Sequence, residues 1–97
     1  MLKRATPQRG MTKLTFVIPL DDAPHPVSVV GEFNQWDPAA HPLKKRSNGT
    51  RSVTVEVPAG SAYQFKYVTA DGTWFCEPDA EDHVVNEFGA LNSVVTA

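Results

Sequence analysis

Two tryptophans in polar turns are the residues of this sequence best suited to chemistry with a ligand. Trp36 ends the segment Gly-Glu-Phe-Asn-Gln-Trp at residues 31–36, and Trp74 directly follows Asp-Gly-Thr at residues 71–73. An indole left half exposed in water is unfavourable, so tryptophans beside Gly, Asn and Asp indicate flat aromatic faces that are kept for a ligand.

Catalytic residues are much less evident. Hydrolysis of a sugar needs two carboxylates that face each other, one of them with a pKa raised by an apolar environment. Asp79, Glu81 and Asp82 crowd instead into one acidic segment, residues 77–87, which we expect to be a solvated loop. The sequence therefore predicts no catalytic residues and no enzymatic activity of its own.

The cysteine and histidines favour structural or surface roles. Cys76 lies in a predicted strand, and His25, His41 and His83 are scattered beside prolines or acids. Cys76 with His83 lacks the further ligands that zinc requires. We expect neither a metal site nor a cofactor.

Amide and ammonium groups accompany the tryptophans and suit a sugar. Sugars present apolar C–H faces bordered by hydroxyls, so a sugar site needs flat aromatics and a few donors. Gln64 and Lys66 alternate with a predicted core row of aromatics and could supply such donors, and further amides come from Asn34, Gln35 and Asn92.

Length and composition limit the classes of protein. The chain has 97 residues, a net charge of −2 and one cysteine. This length suits one domain, the charge disfavours a nucleic acid partner, and an internal disulfide is excluded. No apolar segment approaches the roughly 20 residues that span a bilayer, and no signal peptide is evident at the start, so we expect no membrane partner and a cytoplasmic location.

The elements that position these residues are short strands separated by Pro and Gly. Alternating or β-branched runs predict strands at residues 13–20, 27–30, 52–57, 63–68, 73–76 and 91–95. The pattern predicts an all-β sandwich. We expect residues 1–10 to be a flexible basic tail and residues 11–97 to be one domain.

Six ordered landmarks resemble carbohydrate-binding module family 48. They are Gly-Glu-Phe-Asn-Gln-Trp at 31–36, Pro-Leu at 42–43, Pro-Ala-Gly at 58–60, Tyr-Gln-Phe-Lys-Tyr at 63–67, Asp-Gly-Thr-Trp at 71–74 and Phe-Gly-Ala-Leu-Asn at 88–92. That family includes the glycogen-binding domain of the AMP-activated protein kinase β subunit and the N-terminal domains of isoamylases and branching enzymes. The resemblance implies an early-set immunoglobulin-like antiparallel β-sandwich that binds α-1,4-glucans such as glycogen or starch.

The resemblance also implies roles for individual residues. Trp36 and Trp74 match the two stacking platforms of the family, while Lys66 and Asn92 match its polar sugar contacts. Phe88 stands where the family has an apolar Leu that contacts the sugar. Together with Gln64 and Asn34, these residues form the predicted carbohydrate site.

Two departures from the family pattern affect this site. Ala90 replaces a Thr and removes one hydroxyl. The segment at residues 69–72 is one residue longer than usual, and one extra residue can reverse the face on which Trp74 lies unless a bulge or longer loop absorbs it.

Two functions therefore remain open. One is a non-catalytic glucan-binding module, such as an accessory domain of a glycoside hydrolase family 13 type enzyme. The other is a protein-interaction or spacer domain of a glycogen-metabolising enzyme or of a kinase-like complex, in which the sugar site is weak or lost.

Overall fold

The computed structural model describes residues 2–20 and 25–97, which form nine β-strands. They are β1 (Leu2–Arg4), β2 (Met11–Pro19), β3 (Val27–Gly31), β4 (Lys44–Lys45), β5 (Thr50–Pro58), β6 (Ala62–Thr69), β7 (Trp74–Phe75), β8 (Asp82–Val85) and β9 (Leu91–Thr96). Among these described residues, no helix has the length and apolar character needed to cross a membrane.

The strands form two antiparallel sheets. One sheet has the order β1-β2-β5-β4 and the other the order β3-β6-β9-β8. Strand β6 pairs with β9 through residues 62–65 and then with β7 through residues 67–68. This arrangement confirms the predicted all-β sandwich. All six predicted strands are present, with ends that differ by at most two residues.

Alternating side chains fill the space between the sheets. Leu14, Phe16 and Ile18 of β2 are buried, as are Phe65 and Tyr67 of β6. The Phe16 and Phe65 ring centroids are 5.0 Å apart in an edge-to-face contact. Burial of each such side chain stabilises the fold by about 1.5–3 kcal/mol. Because side chains alternate between the two faces of a strand, the face that carries the apolar residues is the one that the other sheet covers.

The first residues differ from the predicted flexible tail. Leu2–Arg4 pairs with residues 14–16 of β2, which otherwise forms the edge of its sheet. Leu2 packs against the core, and the Arg4 guanidinium donates to Glu81 Oε1 at 2.9 Å and to the Thr96 carbonyl. The basic residues of this segment predicted a tail, but Leu2 is apolar and packs against the core, and the edge of β2 is available for pairing.

The acidic segment at residues 77–87 is only in part the solvated loop that the sequence predicts. Asp79, Glu81 and Asp82 are exposed, but Asp82–Val85 forms β8 against β9. Glu77 is completely buried, and its Oε1 accepts a hydrogen bond of 2.9 Å from the Tyr67 hydroxyl. A buried tyrosine can satisfy a buried carboxylate, and the charge run alone gave no sign of this pair.

Candidate functional site

A close approach of two strands explains the glycine that opens the 31–36 turn. Gly31 ends β3 and pairs with Phe65 of β6. A Cβ atom at Gly31 would lie 2.6 Å from the Gln64 carbonyl oxygen and 2.9 Å from the Phe65 Cβ. Only glycine lets the two backbones pack so closely, and this contact sets where the turn leaves the sheet.

Asn34 organises this turn and is not part of the cavity described below. Its Oδ1 accepts from the Gly31 N–H at 3.0 Å, and its Nδ2 donates to the Val29 carbonyl at 3.1 Å. The Gly31 carbonyl in turn accepts from the N–H groups of Asn34 and Trp36. Asn34 is 5% exposed, so its amide is used to shape the turn that carries Trp36.

A three-residue hairpin loop absorbs the extra residue before Trp74. The Gly72 N–H donates to the Thr69 carbonyl at 2.9 Å, and the Thr69 N–H donates to the Thr73 carbonyl at 2.9 Å. Gly72 has a φ of 86°, the conformation that closes a hairpin of this length after a type I turn. Asp71 Oδ1 accepts from the Thr69 hydroxyl and from the Thr73 N–H, and the first of these bonds is the main cause that lowers the pKa of Asp71.

The resulting register places Trp74 on the same face as Lys66. Trp74 pairs with Val68, which is two residues beyond Lys66 on β6. Partners in an antiparallel pair share a face, and so do alternate residues of one strand. Trp74 is 49% exposed, so its indole is not part of the core.

Asn86 organises the opposite border of this face. Its Oδ1 accepts from the N–H groups of Phe88 and Ala90 at 2.9 and 3.1 Å, which shapes the loop between β8 and β9. Its Nδ2 donates to Asn92 Oδ1 at 3.0 Å, and Asn92 Nδ2 donates to Gln64 Oε1 at 3.1 Å. This chain of amides links the loop to β6.

These elements enclose an open cavity of about 750 Å³. The cavity brings together six of the seven predicted site residues: Trp36, Gln64, Lys66, Trp74, Phe88 and Asn92. Val85, Asn86 and Glu87 also line it and were not predicted. Ala90, the predicted departure from the family pattern, lines it as well. The Asn-Glu-Phe-Gly sequence at residues 86–89 was the available signal for Asn86, because Asn commonly bonds to the backbone two residues ahead in a turn.

The chemical character of the cavity suits binding. Lys66 and Glu87 are the charged residues of its lining, and Phe88 is 85% exposed. The lining contains one carboxylate, that of Glu87, whereas glycoside hydrolysis by a carboxylate pair requires two. Among residues 2–20 and 25–97, no group of three metal-ligating side chains is found. The arrangement can present apolar rings and hydrogen-bond donors to a hydroxylated ligand.

Comparison with known protein families places this cavity in context. A family profile described as the glycogen recognition site of AMP-activated protein kinase matches residues 15–97, which include every residue of the cavity lining. The chain belongs to this glycogen-recognition family. The match confirms the resemblance to carbohydrate-binding module family 48 and supports a carbohydrate-binding module.

Curated relatives of this family member include branching enzymes. The chain is similar to 1,4-alpha-glucan branching enzyme GlgB 2 of Xanthomonas campestris, with 40% identity over 60 residues, and to GlgB of Ralstonia nicotianae, with 46% over 59 residues. It is also similar to GlgB of Corynebacterium jeikeium, with 35% identity over 79 residues. These matches cover 59%, 55% and 77% of the chain but only 8%, 8% and 11% of the respective enzymes.

Proposed function

We propose that the chain is a non-catalytic module that binds α-1,4-glucans such as glycogen or starch, with glucose rings stacking on Trp36 and Trp74. The observation that carries this proposal is the convergence of both indoles with Lys66 and three amide side chains on one open cavity. A structural tryptophan would be expected inside the sandwich, whereas Trp74 is 49% exposed and lines the cavity.

The polar residues have separate parts in this proposal. The Lys66 ammonium donates to sugar hydroxyls. Gln64 Oε1 is engaged by Asn92, which orients the Gln64 amide so that its Nε2 group can donate to the sugar. Phe88, at the tip of the loop after β8, adds an apolar wall that follows the C–H faces of the chain.

Stacking alone gives a weak complex. A glucose ring hides about 80 Å² of apolar surface on one indole, which is about 2 kcal/mol at roughly 25 cal/mol per Å². Two platforms contribute about 4 kcal/mol, which corresponds to a dissociation constant of about 1 mM before hydrogen bonds and association entropy are counted. A polymer with many equivalent chains raises the apparent affinity, so glycogen is a better ligand than a short maltooligosaccharide.

Titration with β-cyclodextrin followed by ¹⁵N chemical shifts tests this proposal. We expect saturable shifts at the cavity residues up to about 10 mM ligand, ten times the dissociation constant above. Trp36→Ala and Trp74→Ala should each weaken binding by up to about thirtyfold, the equivalent of about 2 kcal/mol. Lys66→Ala should weaken binding, whereas the matched control Lys44→Ala on β4 of the other sheet should not.

A second function has its own supporting observation. Val85, Phe88 and Leu91 are 70%, 85% and 47% exposed near the loop after β8. Such an apolar surface also suits contact with a partner enzyme or kinase-like subunit, as in a spacer or protein-interaction domain. If the folded chain shows no shift with β-cyclodextrin and stays in the supernatant with insoluble amylose at low salt, the glucan proposal is wrong and this alternative is favoured.

A further inference from the structure

The hydrogen bonds of Asn34 make the Nδ1 atom of a neighbouring histidine an acceptor. Asn34 Oδ1 must be the oxygen because it accepts from the Gly31 N–H, and Nδ2 must be the nitrogen because it donates to the Val29 carbonyl. Nδ2 also lies 2.9 Å from His41 Nδ1. Since Nδ2 can only donate, His41 Nδ1 is the acceptor of this hydrogen bond.

The position of the His41 ring is itself well determined. The His41 carbonyl accepts from the Val29 N–H at 3.1 Å, and Ser28 and Pro42 form an isolated bridge beside it. The ring packs edge-on against Phe33 with centroids 6.3 Å apart. Asn34 therefore bonds to an acceptor held by β3 on one side and by the turn on the other.

Other titratable groups near this site are engaged elsewhere. On the turn, Glu32 Oε1 accepts from the Gln64 N–H and Asp37 Oδ1 accepts from the Ala39 N–H. On β6, which packs against the turn, the Tyr63 hydroxyl donates to the Pro58 carbonyl and Lys66 lines the cavity. β3 carries no titratable side chain. Within the part of the chain that the structure describes, no ion pair involves His41.

We propose that His41 is a positioning residue for the glucan site and makes glucan binding dependent on pH. This inference rests on the proposed function, because His41 acts on the sugar only through Asn34 and the turn that holds Trp36. Protonation places an N–H on Nδ1, opposite the N–H₂ group of Asn34. Two donors then face each other, and either the ring rotates or Asn34 gives up a backbone bond.

The direction of the pH effect follows from this geometry. A ring that accepts at Nδ1 supports the turn, and protonation of Nδ1 removes this acceptor, so a lower pH acts against the turn. The glucan complex should therefore be stronger at pH 7.5 than at pH 5.0. Loss of one neutral hydrogen bond, about 1 kcal/mol, corresponds to about fivefold in the dissociation constant.

Two substitutions separate the hydrogen bond from the charge. In His41→Asn, Oδ1 can take the place of imidazole Nδ1 and accept from Asn34 at any pH. We expect β-cyclodextrin affinity close to that of the wild type at pH 7.5 and little change at pH 5.0. His41→Leu removes the acceptor, so binding should be about fivefold weaker at pH 7.5 and equally independent of pH. His83→Gln is the matched control and should retain the pH dependence of the wild type.

The β-cyclodextrin titration can contradict the role of His41 while the proposed glucan-binding function still stands. If the wild type binds equally at both pH values, or if His41→Asn retains the wild-type pH dependence, His41 does not regulate the site. If the wild type does not bind β-cyclodextrin at all, the ¹⁵N spectrum of the chain without ligand still tests whether His41 acts on the turn. The indole N–H of Trp36 and the amide of Gly31 should shift between pH 7.5 and 5.0 in the wild type and not in His41→Asn, and shifts that persist in His41→Asn would contradict the inference.

Discussion

Asn34 and Asn86 perform the same task in two different turns that border the cavity. Each uses Oδ1 to accept backbone N–H groups within its own turn, and each uses Nδ2 to bond a neighbouring side chain, His41 or Asn92. Amides that a sugar-binding hypothesis treats as ligand contacts can therefore be the groups that shape the binding surface. Asn34 was predicted at the site for its residue type, and its 5% exposure shows why residue type alone was insufficient.

Substitution of Asn86 should separate loop architecture from direct contact. Asn86→Ala removes three hydrogen bonds, so we expect the free energy of unfolding to fall by about 1–3 kcal/mol and glucan affinity to fall with it. Asn86→Asp retains an oxygen that can accept from the N–H groups of Phe88 and Ala90 but loses the N–H₂ group that donates to Asn92. The effects of this substitution should therefore be intermediate. Urea denaturation and β-cyclodextrin titration measure the two effects. An Asn86→Ala variant with wild-type affinity would show that the loop is formed without this residue.

At the scale of elements, the buried pair of Tyr67 and Glu77 helps to hold the segment between β7 and β8 against the sheet. Glu77 accepts from the Tyr67 hydroxyl, and its backbone N–H donates to the Ser93 hydroxyl. Burial, and next the negative charge of Glu77, raise the pKa of Tyr67 far above its ordinary value. The segment that follows Trp74 is thereby attached to β6 and β9.

This pair predicts a loss of stability in alkali. The pKa of Tyr67 is higher in the folded chain than in the unfolded chain, where it is about 10. The contribution of Tyr67 to the free energy of unfolding is therefore complete below about pH 10 and declines as the pH rises further. The free energy of unfolding should therefore decrease above about pH 10. Tyr67→Phe should be about 1–3 kcal/mol less stable at pH 7, because the buried Oε1 of Glu77 loses the hydrogen bond from the Tyr67 hydroxyl. This variant should also show a flatter decline in stability between pH 9 and 11. An equally steep decline in Tyr67→Phe would assign the effect to other groups.

The sequence predicted the elements whose side chains alternate and missed those defined by their partners. The period of two in β2, β5 and β6 determines a buried face within one strand, so these strands were predicted correctly. β1, β4 and β8 have two to four residues and are strands because a neighbouring edge is available. Pairing of this kind is a tertiary property that no local pattern contains.

The cavity shows the same division. The two tryptophans, Lys66 and Asn92 could be identified from motifs that precede any fold. Whether Trp74 shares a face with Lys66 depended on the loop at residues 70–72, and the hydrogen bonds around Gly72 decide it. Val85 ends β8 and Glu87 follows it, and both line the cavity. The prediction of a solvated loop for this segment gave no reason to place either residue at a binding site.

At the scale of the whole molecule, the first strand connects the two sheets. β1 belongs to the sheet of β2, while Arg4 bonds to Glu81 before β8 and to the Thr96 carbonyl of β9 in the other sheet. No residue of β1 lines the cavity of about 750 Å³. Global stability and ligand binding should therefore respond differently to changes in this strand.

Removal of residues 2–5 tests this separation. Loss of the β1 pairing and of Leu2 packing should lower the melting temperature, with a loss of about 1.5–3 kcal/mol from the apolar side chain alone. Arg4→Ala should have a smaller effect, about 0–1 kcal/mol, because both side chains of its ion pair with Glu81 are nearly half exposed to solvent. Both variants should retain wild-type β-cyclodextrin shifts at 25 °C, and altered shifts at Trp36 or Trp74 would show that the cavity depends on β1.

The backbone of the 31–36 turn has a consequence for the evolution and engineering of this domain. Gln35 and Trp36 have φ values of 54° and 58°, a left-handed conformation that costs a residue with a side chain roughly 1–2 kcal/mol. A chain optimised for heat resistance alone would have Gly or Asn at both positions. The proposed stacking role of Trp36 accounts for an indole at this strained position, and substitutions selected for a higher melting temperature at this turn should weaken the proposed glucan binding.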